Sequence, residues 1–81
     1  MSVEQKTRNY ILENFLFTDD QSVLANGDSF LEKGIIDSTG ILEVINFLEE
    51  EFGIKIKDEE MVPENLDSIN QIAAFVGRKQ A

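Results

Sequence analysis

Between Ile41 and Phe52 the sequence "ILEVINFLEEEF" repeats its apolar residues at three- and four-residue steps. At about 100° per residue, Ile41, Val44, Ile45, Leu48 and Phe52 fall in one arc, with Thr39, Glu43, Asn46 and Glu50 opposite. A helix with such a stripe must be covered by other apolar elements, and the rest of the chain supplies only helical ones. "SVEQKTRNYILENFLF" sets Val3, Thr7, Tyr10, Ile11 and Phe15 on one stripe, which predicts a first helix over 3–17. A last helix is opened by a capping box at Ser68 and Gln71 and faces inward with Ile69, Ile72, Ala73 and Val76. "IKIK" alternates as a strand would, but no second strand is present to pair with it. Residues 54–57 therefore read as an irregular link into a short helix near 58–62, ended by Pro63. The expected fold is all-α: a small four-helix bundle of three main helices plus a short third one, forming a single domain over 1–81. A long loop, "TDDQSVLANGDSFLEKG", joins helices one and two. It carries a candidate capping box at Thr18 and Gln21, and Phe30, Leu31, Ile35 and Ile36 to pin it to the core.

The second helix is expected to run from Ser38 to Phe52, with Gly53 as its stop. Its wheel leaves two apolar residues outside the core arc, Leu42 on one flank and Phe47 on the other. Single exposed apolar residues are ordinary, yet these two stand beside carboxylates, as an apolar anchor with a charged rim would. Residues 37–67 hold ten carboxylates against Lys55 and Lys57, which places −8 of the net −9 charge there.

That charge speaks against nucleic acid, whose phosphates repel it, and favours a partner protein with a basic surface. The chain contains no cysteine and no histidine. Disulfides, thiolate nucleophiles, zinc ligand sets of the Cys/His type and Ser-His-Asp triads are thereby excluded. No window has the spacing of an EF-hand, and no cleft is evident that would hold paired catalytic carboxylates. The sequence predicts no metal site and no catalytic residue. With neither a run of roughly 20 apolar residues nor a signal-peptide core, the chain reads as a cytoplasmic monomer with no membrane partner.

Ser38 is then the residue in question. By local pattern alone, Asp37 is the N-cap and Ser38 the first helical residue, and both types favour helix starts. A serine hydroxyl at that position also stands at the positive end of the helix, where a phosphate group is stabilised. Phosphorylation or a phosphodiester-linked arm would use it.

The segment "FLEKGIIDSTGILEVINFLEEEFGIKIKDEE" resembles the centre of an acyl carrier protein. The resemblance rests on Asp37-Ser38, on Gly34 before them, and on Leu48-Glu49-Glu50-Glu51-Phe52-Gly53 at the family's spacing; the order of helices extends it over nearly the whole chain. It implies that Ser38 carries a 4′-phosphopantetheine arm, donated from coenzyme A by a phosphopantetheinyl transferase. Acyl or aminoacyl cargo would be held on that arm as a thioester. A chain without cysteine would thus borrow its thiol from the cofactor and have no catalytic residue of its own. Asp37, Thr39, Leu42, Glu43, Asn46, Phe47, Glu50, Asp58, Glu59 and Glu60 would meet basic docking patches on the enzymes that load and use the cargo. Thr39, Gly40 and Asn46 depart from the usual pattern, which suggests a carrier of a specialised pathway. Without the resemblance, the same residues describe an acidic helical interaction module in which Ser38 is only a helix-start residue. Phe15, Phe30, Phe52 and Phe75 are expected to fill the bundle and leave little room for cargo.

Overall fold

In the computed structural model, which describes residues 2–81, the first helix is capped by Ser2, whose hydroxyl accepts from the Gln5 N–H at 3.1 Å. Helix α1 (Val3–Ile11) continues into a π-helical turn, Leu12–Leu16. The path ends one residue before the expected 17, because Phe17 turns left-handed (φ 53°) and both its N–H and that of Thr18 bond to the Leu12 carbonyl. Helices α2 (Gly40–Phe52), α3 (Pro63–Leu66) and α4 (Ile69–Gln80) follow, with short 3-10 turns at 21–23 and 58–60 and no strand among the described residues. The expected all-helical bundle with a long first loop is what forms.

α1 and α2 lie antiparallel. Lys6 Nζ pairs with Glu51 at 3.2 Å, the Tyr10 ring stacks on Phe47 at 4.0 Å between centroids, and Phe15 reaches Gly40. The Tyr10 hydroxyl donates to the Glu43 carbonyl at 3.2 Å. Burial, with the Glu43 charge nearby, raises the pKa of that phenol above its ordinary value. α4 ends beside the end of α2, where Gln80 Nε2 donates to the Phe52 carbonyl at 3.1 Å. The core between them includes Ile11, Val44, Leu48, Ile72, Phe75 and Val76, all essentially inaccessible. Phe52 and Ala73 are only half-buried, as they lie at the edge of their arcs.

The long loop is held by polar contacts as much as by apolar ones. The Arg8 guanidinium donates to the carbonyls of Gln21 and Leu24 and to Asn26 Oδ1, which draws the loop back along α1 and seats Leu24 in the core. No Thr18–Gln21 capping box forms. Asp20 caps the 3-10 turn instead, its carboxylate accepting from the Ser22 N–H at 3.0 Å, while the Gln21 side chain is drawn to Gln5 and Asn9. Of the four residues expected to pin the loop, Phe30 and Ile36 are buried and Ile35 half-buried; Leu31 is half exposed.

The link after α2 is irregular as expected, and its alternation places Ile54 and Ile56 inward without a partner strand. Glu49 compensates by accepting the Ile56 N–H at 2.9 Å. The short helix expected at 58–62 is a single 3-10 turn at 58–60, and Pro63 begins α3 instead of ending a helix. Proline suits the first helical position, where no N–H bond is required. At α4 the Ser68 hydroxyl accepts from the Gln71 N–H at 3.1 Å, as the sequence indicates. No helix among the described residues is long and apolar enough to cross a membrane.

Thr7 is completely buried on α1, and its hydroxyl has no hydrogen-bond partner among the described residues. A buried unsatisfied hydroxyl costs on the order of 1–3 kcal/mol, and an apolar isostere removes that cost. Thr7→Val is expected to raise stability by about 1 kcal/mol, read as a higher urea midpoint at unchanged slope. A lower midpoint would show that the hydroxyl has a partner.

Candidate functional site

The start of α2 is built by Asp37. Its carboxylate accepts the Gly40 N–H at 2.7 Å and its carbonyl accepts the Ile41 N–H at 3.0 Å, which is what an N-cap residue does. Ser38 and Thr39 form the turn leading in, so the regular helix starts two residues later than expected, at Gly40. With Asp37 capping, the Ser38 hydroxyl is left over. It is exposed and makes no hydrogen bond among the described residues, although it lies at the positive end of a 13-residue helix.

Gly40 is buried in this turn. A Cβ there would come within 3.0 Å of the Phe15 ring, 3.1 Å of Ile36 and 3.3 Å of Asp37 Oδ1. Such contacts are tight enough to push on all three. A residue that looks like a weak helix start in sequence thus lets the end of α1 close directly onto the turn that presents Ser38.

A pocket of about 160 Å³ opens beside Ser38. Ile36, Ile41, Met61, Val62, Pro63 and Leu66 give it an apolar wall, with Phe30 and Leu31 behind and Asp37 and Asp67 at its edges. Asp67 is already engaged, accepting the Leu31 N–H at 3.0 Å and the Ser29 hydroxyl. Of Phe15, Phe30, Phe52 and Phe75, expected to fill the bundle and leave little room, Phe30 and Phe75 are fully buried while Phe15 and Phe52 are only half-buried, and that filling is confined to the interior. It does not extend to this flank, which α3 and the 58–60 turn shape after the link leaves α2. Sequence reasoning missed Met61, Val62, Pro63 and Leu66 as wall residues. The signal was Pro63 as a helix starter, which brings Leu66 one turn later back toward Ser38.

The residues expected to dock partners are distributed unevenly. Thr39, just before α2, and Leu42, Glu43, Asn46 and Glu50 on it are exposed, with Leu42 at 61%. Phe47 is not free in the same way: it is half-buried between Tyr10 and Phe52. Asp58 and Glu59 are exposed, whereas Glu60 pairs with Lys79 at 2.8 Å and accepts the Lys57 N–H at 3.0 Å. The Lys79 contact, then the Lys57 amide, hold the Glu60 carboxyl below its usual range. No group of three or more carboxylates among the described residues is placed to hold a metal ion.

Comparison with known proteins supplies a family for this geometry. A family model described as the phosphopantetheine attachment site matches residues 12–76. The chain is 35% identical to the D-alanyl carrier protein of Streptococcus uberis over 82 residues, covering 99% of this chain and 98% of that one. It is 32% identical to the acyl carrier protein of Bdellovibrio bacteriovorus over 79 residues, 98% and 96% of the two chains. It is 29% identical to the probable acyl carrier protein PigG of a Serratia species, over 98% and 90%. A helical bundle with an exposed, unengaged serine hydroxyl at the start of its acidic helix suits a covalent arm. By the match over most of its length, the chain belongs to the phosphopantetheine-attachment family, as a carrier protein and not an enzyme.

Proposed function

We propose that Ser38 is the residue to which the 4′-phosphopantetheine arm is attached, and that the arm holds a short acyl or aminoacyl group as a thioester. The observation that carries the reading is the division of labour at the helix start: Asp37 does the capping, and the neighbouring Ser38 hydroxyl is exposed without a protein partner. When bound, the cofactor supplies the thiol that this chain lacks. Its phosphate would sit where the partial positive charge of the α2 N-terminus favours an anion. Ile41, Met61, Val62 and Leu66 border the space beside the attachment point and can shield apolar atoms from water.

Pocket size bears on the cargo. An apolar cavity of about 150 Å³ takes a benzene ring, so the pocket beside Ser38 has room to cover roughly six carbon atoms. The relative named for D-alanyl cargo carries a group within this range. The direct test is intact mass after incubation with coenzyme A and a broad-specificity phosphopantetheinyl transferase. One phosphopantetheine should be gained, and an unmodified chain alongside a modified control carrier would count against the proposal.

Enzymes that modify, load and use a carrier must approach α2, and its exposed carboxylates invite basic docking patches. The net charge of −9 opposes self-association, which supports a monomer. Glu43→Lys together with Glu50→Lys should slow modification about tenfold at low salt, and less as salt screens the interaction. Helicity should persist. Lysine is disfavoured in the first turn of α2 but favoured in the last, so the two dipole effects offset each other. Equal rates for variant and wild type at low salt would remove both residues from the docking surface.

A further inference from the structure

Phe17 is the one non-glycine residue with a positive φ among those described, at 53°. Its ring is also 83% exposed, the most of any large apolar side chain described. The position is the left-handed end of the α1 path, where glycine or asparagine closes a helix without steric strain. The fold makes use of the Phe17 backbone, whose N–H bonds to the Leu12 carbonyl, and leaves the ring outside the core cluster. An aromatic ring left in solvent at a backbone position that disfavours its residue type is a candidate contact for a partner.

The antiparallel pairing of α1 and α2 fixes where that is. Lys6 meets Glu51, Tyr10 meets Phe47 and Phe15 meets Gly40, so the chain arrives at Phe17 at the end of the bundle that presents Ser38. Phe17 follows Phe15 by two residues, hence about 7 Å along the backbone at most. A standard interface covers about 800 Å² per partner, a disc of roughly 16 Å radius. An enzyme bringing its active centre to Ser38 covers a patch of that size around the same end of the molecule.

We propose that Phe17 is an aromatic anchor for the phosphopantetheinyl transferase that modifies this chain, seated in an apolar socket framed by lysine and arginine side chains. The inference rests on the reading of Ser38 as the attachment residue. The charge of the surrounding chain argues for the basic frame: residues 8–33 contain Glu13, Asp19, Asp20, Asp28 and Glu32 against Arg8 and Lys33, the last of which pairs with Asp28 at 3.6 Å. Hydrogen bonds from the Ser22 hydroxyl and amide lower the pKa of the Asp20 carboxyl. A second copy of the chain would bring −9 against −9 and is a poor occupant of the same surface.

The experiment compares wild type, Phe17→Asn and Phe17→Tyr as substrates of a broad-specificity transferase with coenzyme A, alongside their melting temperatures. Asparagine tolerates the left-handed backbone, so Phe17→Asn should melt no lower than wild type while its KM rises about tenfold or more, as for a truncated aromatic anchor. Its kcat should stay within about twofold, because uniform binding is lost and no reacting group is touched. Phe17→Tyr keeps the ring and should keep the KM. Wild-type modification with an unchanged KM in Phe17→Asn overturns the anchor alone. A raised KM accompanied by a lower melting temperature assigns the ring to the fold and overturns it as well. A wild type that gains no mass overturns the attachment reading, and the anchor falls with it.

Discussion

Ser38→Ala is expected to abolish the mass gain on treatment with coenzyme A and transferase while leaving the fold as stable as wild type. The two halves of this result come from different observations. Attachment requires an oxygen nucleophile at that position, and alanine has none. Stability is expected to stay within about 0.5 kcal/mol, the range for surface substitutions away from caps and buried polar groups. That half depends on Asp37, whose carboxylate and carbonyl hold the Gly40 and Ile41 amides in the variant as in the wild type. A Ser38 that served as the cap would behave otherwise, because removing a capping side chain costs about 0.5–2 kcal/mol. Denaturant midpoint and intact mass together therefore discriminate three cases. Lost mass gain with an unmoved midpoint supports attachment at Ser38. A midpoint shift of that size with the mass gain retained leaves Ser38 a structural residue and points to another hydroxyl, such as the exposed Thr39 beside it. Loss of both would mean that the start of α2 itself depends on this side chain.

The parts of the molecule visible in the sequence are those that repeat a helical period over several turns. The stripes of α2 and α4 identify Val44, Ile45, Leu48, Ile69, Ile72 and Val76 as interior, and all six are buried. Asp37 as a cap and Gly53 as a stop are local chemistry, and both are found, Gly53 with the left-handed φ of 66° that suits glycine. What the sequence conceals depends on contacts between distant segments. Phe47 looks like an exposed flank residue until Tyr10, 37 positions earlier, stacks on it. Gly40 looks like a weak helix former until Phe15 is seen against it. The left-handed Phe17 has no sequence signal, since the residue type argues against the conformation. The pocket wall was missed for a related reason. The four residues of α3 and the 3-10 turn before it carry no period, so only the packing shows Leu66 and Met61 lining one pocket with Ser38.

Adjacent residues in the long loop offer a sharp contrast in stability. Phe30→Ala is expected to cost about 3–5 kcal/mol, the usual loss for a fully buried phenylalanine. Leu31→Ala should cost well under half of that. Both lie in the segment the sequence assigns to pinning the loop, yet Phe30 is 1% exposed and Leu31 is 50% exposed. The Phe30 backbone is engaged too: its N–H donates to the Asp67 carbonyl at 2.8 Å, and its own carbonyl accepts from Ile35 at 2.9 Å. The side chain thus anchors a turn that ties the α4 entry to the run leading to Ser38. For a chain of 81 residues the total stability is on the order of 4–12 kcal/mol at the usual value per residue. Loss of this one ring could therefore remove a third or more of it, read as a urea midpoint lowered by some 2–3 M at a slope of about 1–2 kcal/mol/M. The consequence should reach the site as well. Phe30 forms part of the wall of the pocket beside Ser38, so its removal enlarges that space as it loosens the turn. In the fraction that stays folded, thioesters of longer acyl groups should resist hydrolysis better than they do on the wild type, while short groups are shielded less tightly. An unchanged order of hydrolysis rates across chain lengths would show that cargo does not enter the pocket. A midpoint shift no larger than that of Leu31→Ala would show that the ring is not the anchor of the loop.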